Sequence, residues 1–360
     1  MVTRSTTDSI GRDMARWGTE GGTRPRACVL GSGQMGLVCA DLLAQAGCGV
    51  RMWTHDADEA GALAQTRRSE RLEGFELVES VRVAIDDAEA LAGADLIVSA
   101  IPVQFIRDCW GRLREHVPDH AAAVSVAKGI ETGTTLRPTE VIAAVLGDDP
   151  DRAARPIGVL SGPTIAAELA RCLPATMIAA SEDRALADAV QRLFSTSWLR
   201  VYTNTDVLGV ELAGATKNVI AIAAGIVDGL QAGYNAKSAL LARGLAEVAR
   251  LGIAMGANAE TFFGVAGVGD LATTCFSPEG RNRSCGEALG KGEKLKDYLG
   301  RSKWVVEGVA TTAGVLELAE RYGVEMPLTA AVHAVLFEKT DPIDAIAKLM
   351  SRELKREQVG

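Results

Sequence analysis

Up to about residue 203, short apolar runs alternate with longer amphipathic stretches, the rhythm of a parallel sheet joined by crossover helices. Residues 27–30, 49–53, 96–100, 123–127, 157–160, 176–180 and 199–202 read as strands. Apolar positions at helical spacing predict helices over 35–46, 103–117, 139–146, 164–172 and 185–194. Beyond Asp206 the strand pattern stops, and helical periodicity runs over 207–230, 237–255, 309–322 and 328–338. The expected fold class is therefore α/β, a doubly wound N-terminal domain followed by an all-α C-terminal domain. The polar stretch 203–206 marks the boundary and offers Asn204, Thr205 or Asp206 as an N-cap. The expected division is a loose tail over 1–24, an α/β domain over 25–203 and a helical domain over 204–360.

A chain of 360 residues exceeds what one core usually covers, which agrees with two domains. Its net charge of -8 argues against a broad nucleic-acid footprint, so an anion has to be held by a local basic pocket. Seven cysteines without metal-ligand spacing predict reduced, mostly buried thiols, no metal site and a cytoplasmic setting. The first 24 residues lack a signal-peptide core, and the most apolar helical run, 219–227, is too short to span a bilayer. No membrane segment is expected.

The stretch Ala27 to Gly36 reads ACVLGSGQMG: a short strand, then Gly31, Gly33 and Gly36 in G-x-G-x-x-G spacing, then an apolar helix. The first glycine permits a tight turn, the second lets the backbone approach a pyrophosphate, and the third lets helix pack on strand. This order predicts a dinucleotide-binding, Rossmann-type first domain. The second strand ends at Trp53, Thr54 and His55, with Asp56 just beyond. An acid at the strand end would favour a free ribose 2'-hydroxyl. His55, with Arg67 or Arg68 nearby in sequence, would accept a 2'-phosphate, although the charged helix reads equally as a solvated face. NAD and NADP both stay open, with a narrow lean to NADPH.

Hydride transfer from an alcohol needs a group that takes the hydroxyl proton. None of the four histidines, His55, His116, His120 and His333, lies in the polar clusters of the second half, which moves attention to lysine. Lys128 follows an apolar strand, at the end where ligands of open α/β sheets collect. Lys217 sits among small residues, with Gly214, Asn218, Ala221, Gly225 and Asp228 at roughly helical spacing, a pattern expected of a pocket wall. A lysine snorkelling to the surface fits the same pattern. The turn SGPT, Ser161 to Thr164, serves equally as a helix cap or as a ligand contact. The stretch Gly267 to Arg283, GVGDLATTCFSPEGRNR, joins an acid, two threonines and an Arg-Asn-Arg triplet in a glycine-punctuated turn suited to phosphate.

Taken together, GSGQMG, VAKGIE around Lys128, LSGPTIAAE around Gly162, ELAGATKNVIAIAAGIVDGL around Lys217, GVGDLATTCFSPEGRNR and VVEGVATT from Val305 resemble the NAD(P)-dependent glycerol-3-phosphate dehydrogenases, in that family's order. The resemblance implies interconversion of sn-glycerol 3-phosphate and dihydroxyacetone phosphate, supplying phospholipid synthesis. It implies Lys217 as general acid/base, Lys128 as a second lysine near substrate oxygen and cofactor, and Asp270 in the catalytic cluster with Thr274 beside it. By the same resemblance, Gly280, Arg281 and Asn282 hold substrate phosphate, Arg281 also meets the cofactor, and Gly162 and Thr164 line the substrate. Gln34, Met35, His55, Ala166, Val305 and Glu307 join Gly31, Gly33 and Gly36 as cofactor contacts. Gln34, Met35 and the segment IPVQF at 101–105 depart from the family's usual residues. The resemblance implies a small phosphorylated substrate as partner; the charge balance argues for no nucleic acid, and the small-residue helix faces of the second half fit a homodimer. A β-hydroxyacid or ketopantoate-type reductase and a non-catalytic dinucleotide sensor share many of these features.

Overall fold

The computed structural model describes residues 14–147, 155–302 and 304–353. The chain forms two compact units. The first takes residues up to Ile101, Phe105–Ala127 and Pro138–Val207; the second takes Pro102–Gln104, Lys128–Arg137 and everything from Leu208 on. The division is thus not a single cut near 203, because two earlier segments, one of them carrying Lys128, belong with the helical unit.

The first unit holds β1 (Arg26–Leu30), β2 (Gly49–Trp53), β3 (Arg82–Ala84), β4 (Leu96–Ser99), β5 (Ala122–Ser125), β6 (Ile157–Ser161), β7 (Ala175–Ser181) and β8 (Leu199–Asn204). They make one eight-stranded sheet in the order β3-β2-β1-β4-β5-β6-β7-β8. Leu30 pairs in register with Trp53 on one side and Ser99 on the other, so the carboxyl ends of β1, β2 and β4 lie level. The strand order reverses at β1, the switch point where ligands of open parallel sheets bind. One pairing departs from the expected parallel sheet: β6 and β7 run antiparallel.

Helices cover the sheet by burying one stripe each. Arg184–Phe194 buries Leu186, Ala187, Ala189, Val190, Leu193 and Phe194, and the Asp183 carboxylate accepts from Ala185 N at 2.8 Å to cap its start. Each fully buried leucine or phenylalanine contributes about 1.5–3 kcal/mol. Met14 and Trp17 join this core, and Arg192 donates to the carbonyls of Trp17 at 2.7 Å and Met14 at 3.1 Å. The expectation of a loose tail over 1–24 therefore fails from Met14 onward; residues 1–13 lie outside the described residues. The helix expected over 164–172 shrinks to Ala166–Leu169.

The second unit is helical, and its centre is the helix Val207–Gly229, buried on every side from Gly209 to Val227. By length and apolar composition it could cross a membrane, which the shorter run 219–227 did not suggest; its whole apolar window is buried inside the protein. Asn204 Oδ1 accepts from Asp206 N at 2.9 Å just before it. Against this helix lies Arg281–Gly290. A Cβ on Gly225 would stand 1.9 Å from the Arg283 carbonyl oxygen, and one on Gly286 would stand 1.9 Å from that of Ile222. The Gly225 end of the small-residue face, read from sequence as a pocket wall, is a seam between two helix backbones. The stretch 267–283, expected as a turn, is itself mostly helical: a widened turn Val265–Gly269, then Asp270–Phe276, then the start of Arg281–Gly290.

Candidate active site

Lys217, Lys128, Asp270 and Thr274 meet in the second unit. Lys217 Nζ donates to Asp270 Oδ1 and, at 2.7 Å, to Thr274 Oγ1. Lys128 Nζ donates to Asp270 Oδ2 at 2.6 Å. Thr274 Oγ1 in turn donates to the Asp270 carbonyl at 2.7 Å, as a helical threonine one turn downstream can. One carboxylate thus holds two ammonium groups, one on each oxygen. Widened turns of the kind that precedes Asp270 recur at functional sites, where they re-aim a side chain.

Lys128 is held by its backbone as well as its amine. Asn218 Nδ2 donates to the Lys128 carbonyl at 3.2 Å. Gln104 clamps the next residues: its amide donates to Ile130 O at 2.8 Å and accepts from Thr132 N at 3.0 Å. Arg137 closes the segment on Glu211 of the long helix at 2.8 Å. Gln104 belongs to the IPVQF stretch that departs from the usual residues, and its role here needs tertiary structure to be seen.

Asp270 is about 1% exposed and Lys217 about 9%, so the ions are largely desolvated. The Lys217 amine is lowered to about 8: burial lowers it most, Asp270 opposes that, and the neighbouring Lys128 adds to the lowering. The acid does not win because the amine is buried, and the second lysine works against it as well. A lysine poised near neutrality can exchange a proton with an alcohol oxygen.

The triplet at 281–283 divides. Arg281 is exposed, at the start of a helix whose N-cap, Gly280, carries no side chain, and its guanidinium lies 5.3 Å from the Trp304 ring centre. Asn282 is buried, and its Oδ1 accepts from Gly308 N at 2.9 Å, which pins the start of the helix Glu307–Arg321. Arg283 does not join the anion site expected for the triplet: it binds Asp228 at 2.6 Å and Glu287 at 3.1 Å. Burial raises the Glu307 carboxyl, and the facing charges of Arg281, Lys128 and Lys217 oppose that rise. Val305 is exposed just before it.

In the first unit the glycine loop has the form that its spacing predicts. Gly31 has φ +104°, and a Cβ there would come 2.9 Å from the Ala100 carbonyl oxygen; one on Gly36 would lie 2.0 Å from the Gly31 oxygen. At Gly33 a Cβ would meet nothing within 4 Å. Gly33 caps the helix Gln34–Gln45 without any side-chain hydrogen bond, and the first-turn N–H groups of a helix have no partners within it. This is an open cradle that fits a pyrophosphate. Met35 packs on the apolar core that also takes Ala166, and Gln34 Nε2 donates to the Arg71 carbonyl at 2.7 Å. His55 is exposed beyond β2, after Thr54, whose Oγ1 accepts from Ser32 at 3.0 Å.

Arg67 and Arg68, for which a 2'-phosphate contact and a solvated face stood open, are both engaged within the protein. Arg67 spends its guanidinium on the carbonyls of Leu77, Val78 and Val81, and Arg68 pairs with Glu76 at 3.1 Å. Nor does the SGPT turn cap a helix with its side chains: Thr164 Oγ1 donates to the Gly162 carbonyl at 3.1 Å, and Ile165 is the N-cap of the short helix that follows. Two buried hydroxyls stand apart from these pairings. Ser161 Oγ and Thr311 Oγ1 are buried without a hydrogen-bond partner. Thr311 lies one turn after Glu307, and a Cβ on Gly129 would come 3.1 Å from its Oγ1. A threonine pair after Glu307 was visible in VVEGVATT; which of the two would lack a partner was not, because Thr312 bonds back to Gly308 at 2.6 Å.

Comparison with known proteins agrees with these features. The family model for the NAD-dependent glycerol-3-phosphate dehydrogenase N-terminus matches residues 26–187, and that for its C-terminus matches 206–347. A glycerol-3-phosphate dehydrogenase [NAD(P)+] of Geobacter sulfurreducens is 46% identical over 92% of this chain and 99% of its own length. One from Mycobacterium tuberculosis is 43% identical over 93% of this chain and 99% of its own. The crystal structure of glycerol-3-phosphate dehydrogenase from Coxiella burnetii superposes with a TM-score of 0.86 at 34% identity, covering 91% of this chain and 99% of that one. The ketopantoate-type and sensor alternatives give way to these full-length matches. With both halves matched in order and a dinucleotide loop and a paired-lysine cluster in place, the chain belongs to the NAD-dependent glycerol-3-phosphate dehydrogenase family.

Proposed function

We propose that the Lys217–Asp270–Lys128 cluster moves the proton in an NAD(P)-dependent interconversion of sn-glycerol 3-phosphate and dihydroxyacetone phosphate. The nicotinamide, when bound, supplies or accepts the hydride at C4. Neutral Lys217 takes the proton of the C2 hydroxyl during oxidation, and its ammonium returns one to the developing alkoxide during reduction. Lys128 stabilises negative charge on that oxygen, and Asp270 holds both amines in position while Thr274 fixes the Lys217 rotamer. Arg281, with the helix start at Gly280 and Asn282, holds the substrate phosphate, and Gly162 and Thr164 line the glycerol moiety. On the cofactor side, Gly31, Gly33, Gln34, Met35, Gly36 and Ala166 take the pyrophosphate region and His55 lies toward the ribose. Lys128, Arg281, Val305 and Glu307 serve the nicotinamide side. In the reducing direction the product is the phosphorylated glycerol that phospholipid synthesis acylates.

The observation that carries this reading is the single buried carboxylate shared by two lysines, one of them with its proton affinity lowered to about 8. Its test is consumption of NADH or NADPH with dihydroxyacetone phosphate, followed in the chain and in Arg281→Ala. The variant is expected to raise KM for the phosphorylated substrate by about tenfold or more, the loss of one charge-assisted phosphate contact, and to weaken dinucleotide binding less, because the glycine loop still holds the pyrophosphate. An unchanged KM would remove Arg281 from the phosphate site.

A further inference from the structure

The end of β2, where a ribose 2'-substituent of a bound dinucleotide comes to lie, carries a cation that the sequence pattern did not single out. Arg71 lies in the loop after the helix Ala57–Thr66. Its backbone carbonyl is tied to the cofactor loop by the Gln34 side chain at 2.7 Å. Its guanidinium makes two bonds to one carboxylate, Nε to Glu59 Oε1 at 2.7 Å and a terminal nitrogen to Glu59 Oε2 at 3.0 Å. Glu59 stands in the first turn after β2, and its N–H donates to Asp56 Oδ1 at 3.0 Å. Arg71 also interacts electrostatically with Asp56, as Asp56 does with His55. The strand end therefore presents two acids, Asp56 and Glu59, against Arg71 and the His55 ring. Arg67 and Arg68 are committed elsewhere, as described above.

We propose that the Glu59–Arg71 ion pair sets this chain's choice between NADH and NADPH. Arg71 is the planar, two-pronged cation that matches a 2'-phosphate, and Glu59 is the competitor for the same two N–H groups. A 2'-phosphate dianion has to displace Glu59 from Arg71 and then sit near a carboxylate, whereas a 2'-hydroxyl leaves the pair intact and finds an acceptor in the acids. The pair is about 43% exposed on the arginine side and 19% on the glutamate side, so it is accessible to a ligand. In this arrangement the pair balances the two cofactors, and either side chain can tip it.

The proposal rests on the dinucleotide-binding reading of the glycine loop, and its test uses binding alone. NADH and NADPH are titrated without substrate into the full chain, Arg71→Gln, Arg71→Lys and Glu59→Gln, with dinucleotide fluorescence as the signal. The quantity read is the ratio of the NADH Kd to the NADPH Kd. Arg71→Gln is expected to lower the ratio about tenfold, Arg71→Lys to recover part of that loss, and Glu59→Gln to raise the ratio about three- to tenfold. If Arg71→Gln does not fold, Glu59→Gln, which leaves the cation in place, decides alone. A ratio within about twofold of the parent in the folded variants would overturn the proposal. A parent chain that bound neither dinucleotide would overturn the cofactor-loop reading and the proposal with it.

Discussion

Two carboxylates, one against the long helix and one on it, each gather two cations, and the outcomes differ. Asp270 holds Lys217 and Lys128 with about 1% of its side chain exposed. Asp228, three turns beyond Lys217 on the Val207–Gly229 helix, holds Lys237 at 2.7 Å and Arg283 at 2.6 Å with 25% of its side chain exposed. A second acid, Glu287, shares Arg283 and extends the group to the exposed Lys291 at 2.6 Å. The outer group has acids and solvent enough to settle its charge, and it fastens the helix Arg281–Gly290 in place. The inner group has one acid, little water and a surplus of positive charge, which leaves Lys217 holding its proton loosely. Pairing builds structure; incomplete pairing under burial leaves an amine suited to the proton transfer proposed for it.

The difference is tested most sharply by removing one lysine from each group. Lys217→Ala is expected to lower kcat by about a hundred- to ten-thousandfold, the usual contribution of a positioned acid/base. Lys237→Met removes a partner of the outer group and is expected to cost about 1–3 kcal/mol of stability while leaving kcat within about twofold. Steady-state turnover and urea melts on both variants separate the two outcomes; equal losses of turnover would erase the distinction. A smaller effect probes how the two groups are spaced. Gly286→Ala puts a Cβ 1.9 Å from the Ile222 carbonyl oxygen and is expected to cost about 1–3 kcal/mol or more by forcing the helices apart. A melting midpoint unchanged by that methyl group would mean that the seam has slack.

The inner and outer groups also mark what could be read in the sequence. Gly31, Gly33 and Gly36 were legible because strand, loop and helix follow one another locally, and local order is what periodicity reports. Lys217 stood out as a cation in a helix with no polar face. Arg283 was misread because the helix start at Gly280 decides which way each arginine of the triplet turns, and its partner Asp228 is 55 residues earlier. Gly225 was misread for a related reason: a glycine on a helix fits a pocket and a seam equally well until the second helix is placed. The three-residue β3 and the Met14–Trp17 contact with Arg192 left no pattern long enough to detect. Gln104 acts through backbone groups 26 and 28 residues away, and the Arg71 guanidinium meets Glu59 only once the loop between them is folded, which no residue type announces.

The central claim is that Lys217 owes its proton affinity to burial and to Lys128, against the pull of Asp270. Oxidation of the alcohol requires the neutral amine, so its rate should rise with pH through about 8, and reduction, which requires the ammonium, should fall through the same range. Lys128→Met removes the like charge and leaves Asp270 to Lys217 alone, and both changes favour the ammonium. The direct measurement is the pH profile of the hydride-transfer step in single turnovers of the parent and of Lys128→Met, read for midpoint rather than amplitude. The expected result is a midpoint near 8 in the parent that moves upward in the variant. A midpoint that stays in place, or moves down, would contradict the claim that the second lysine tunes the first.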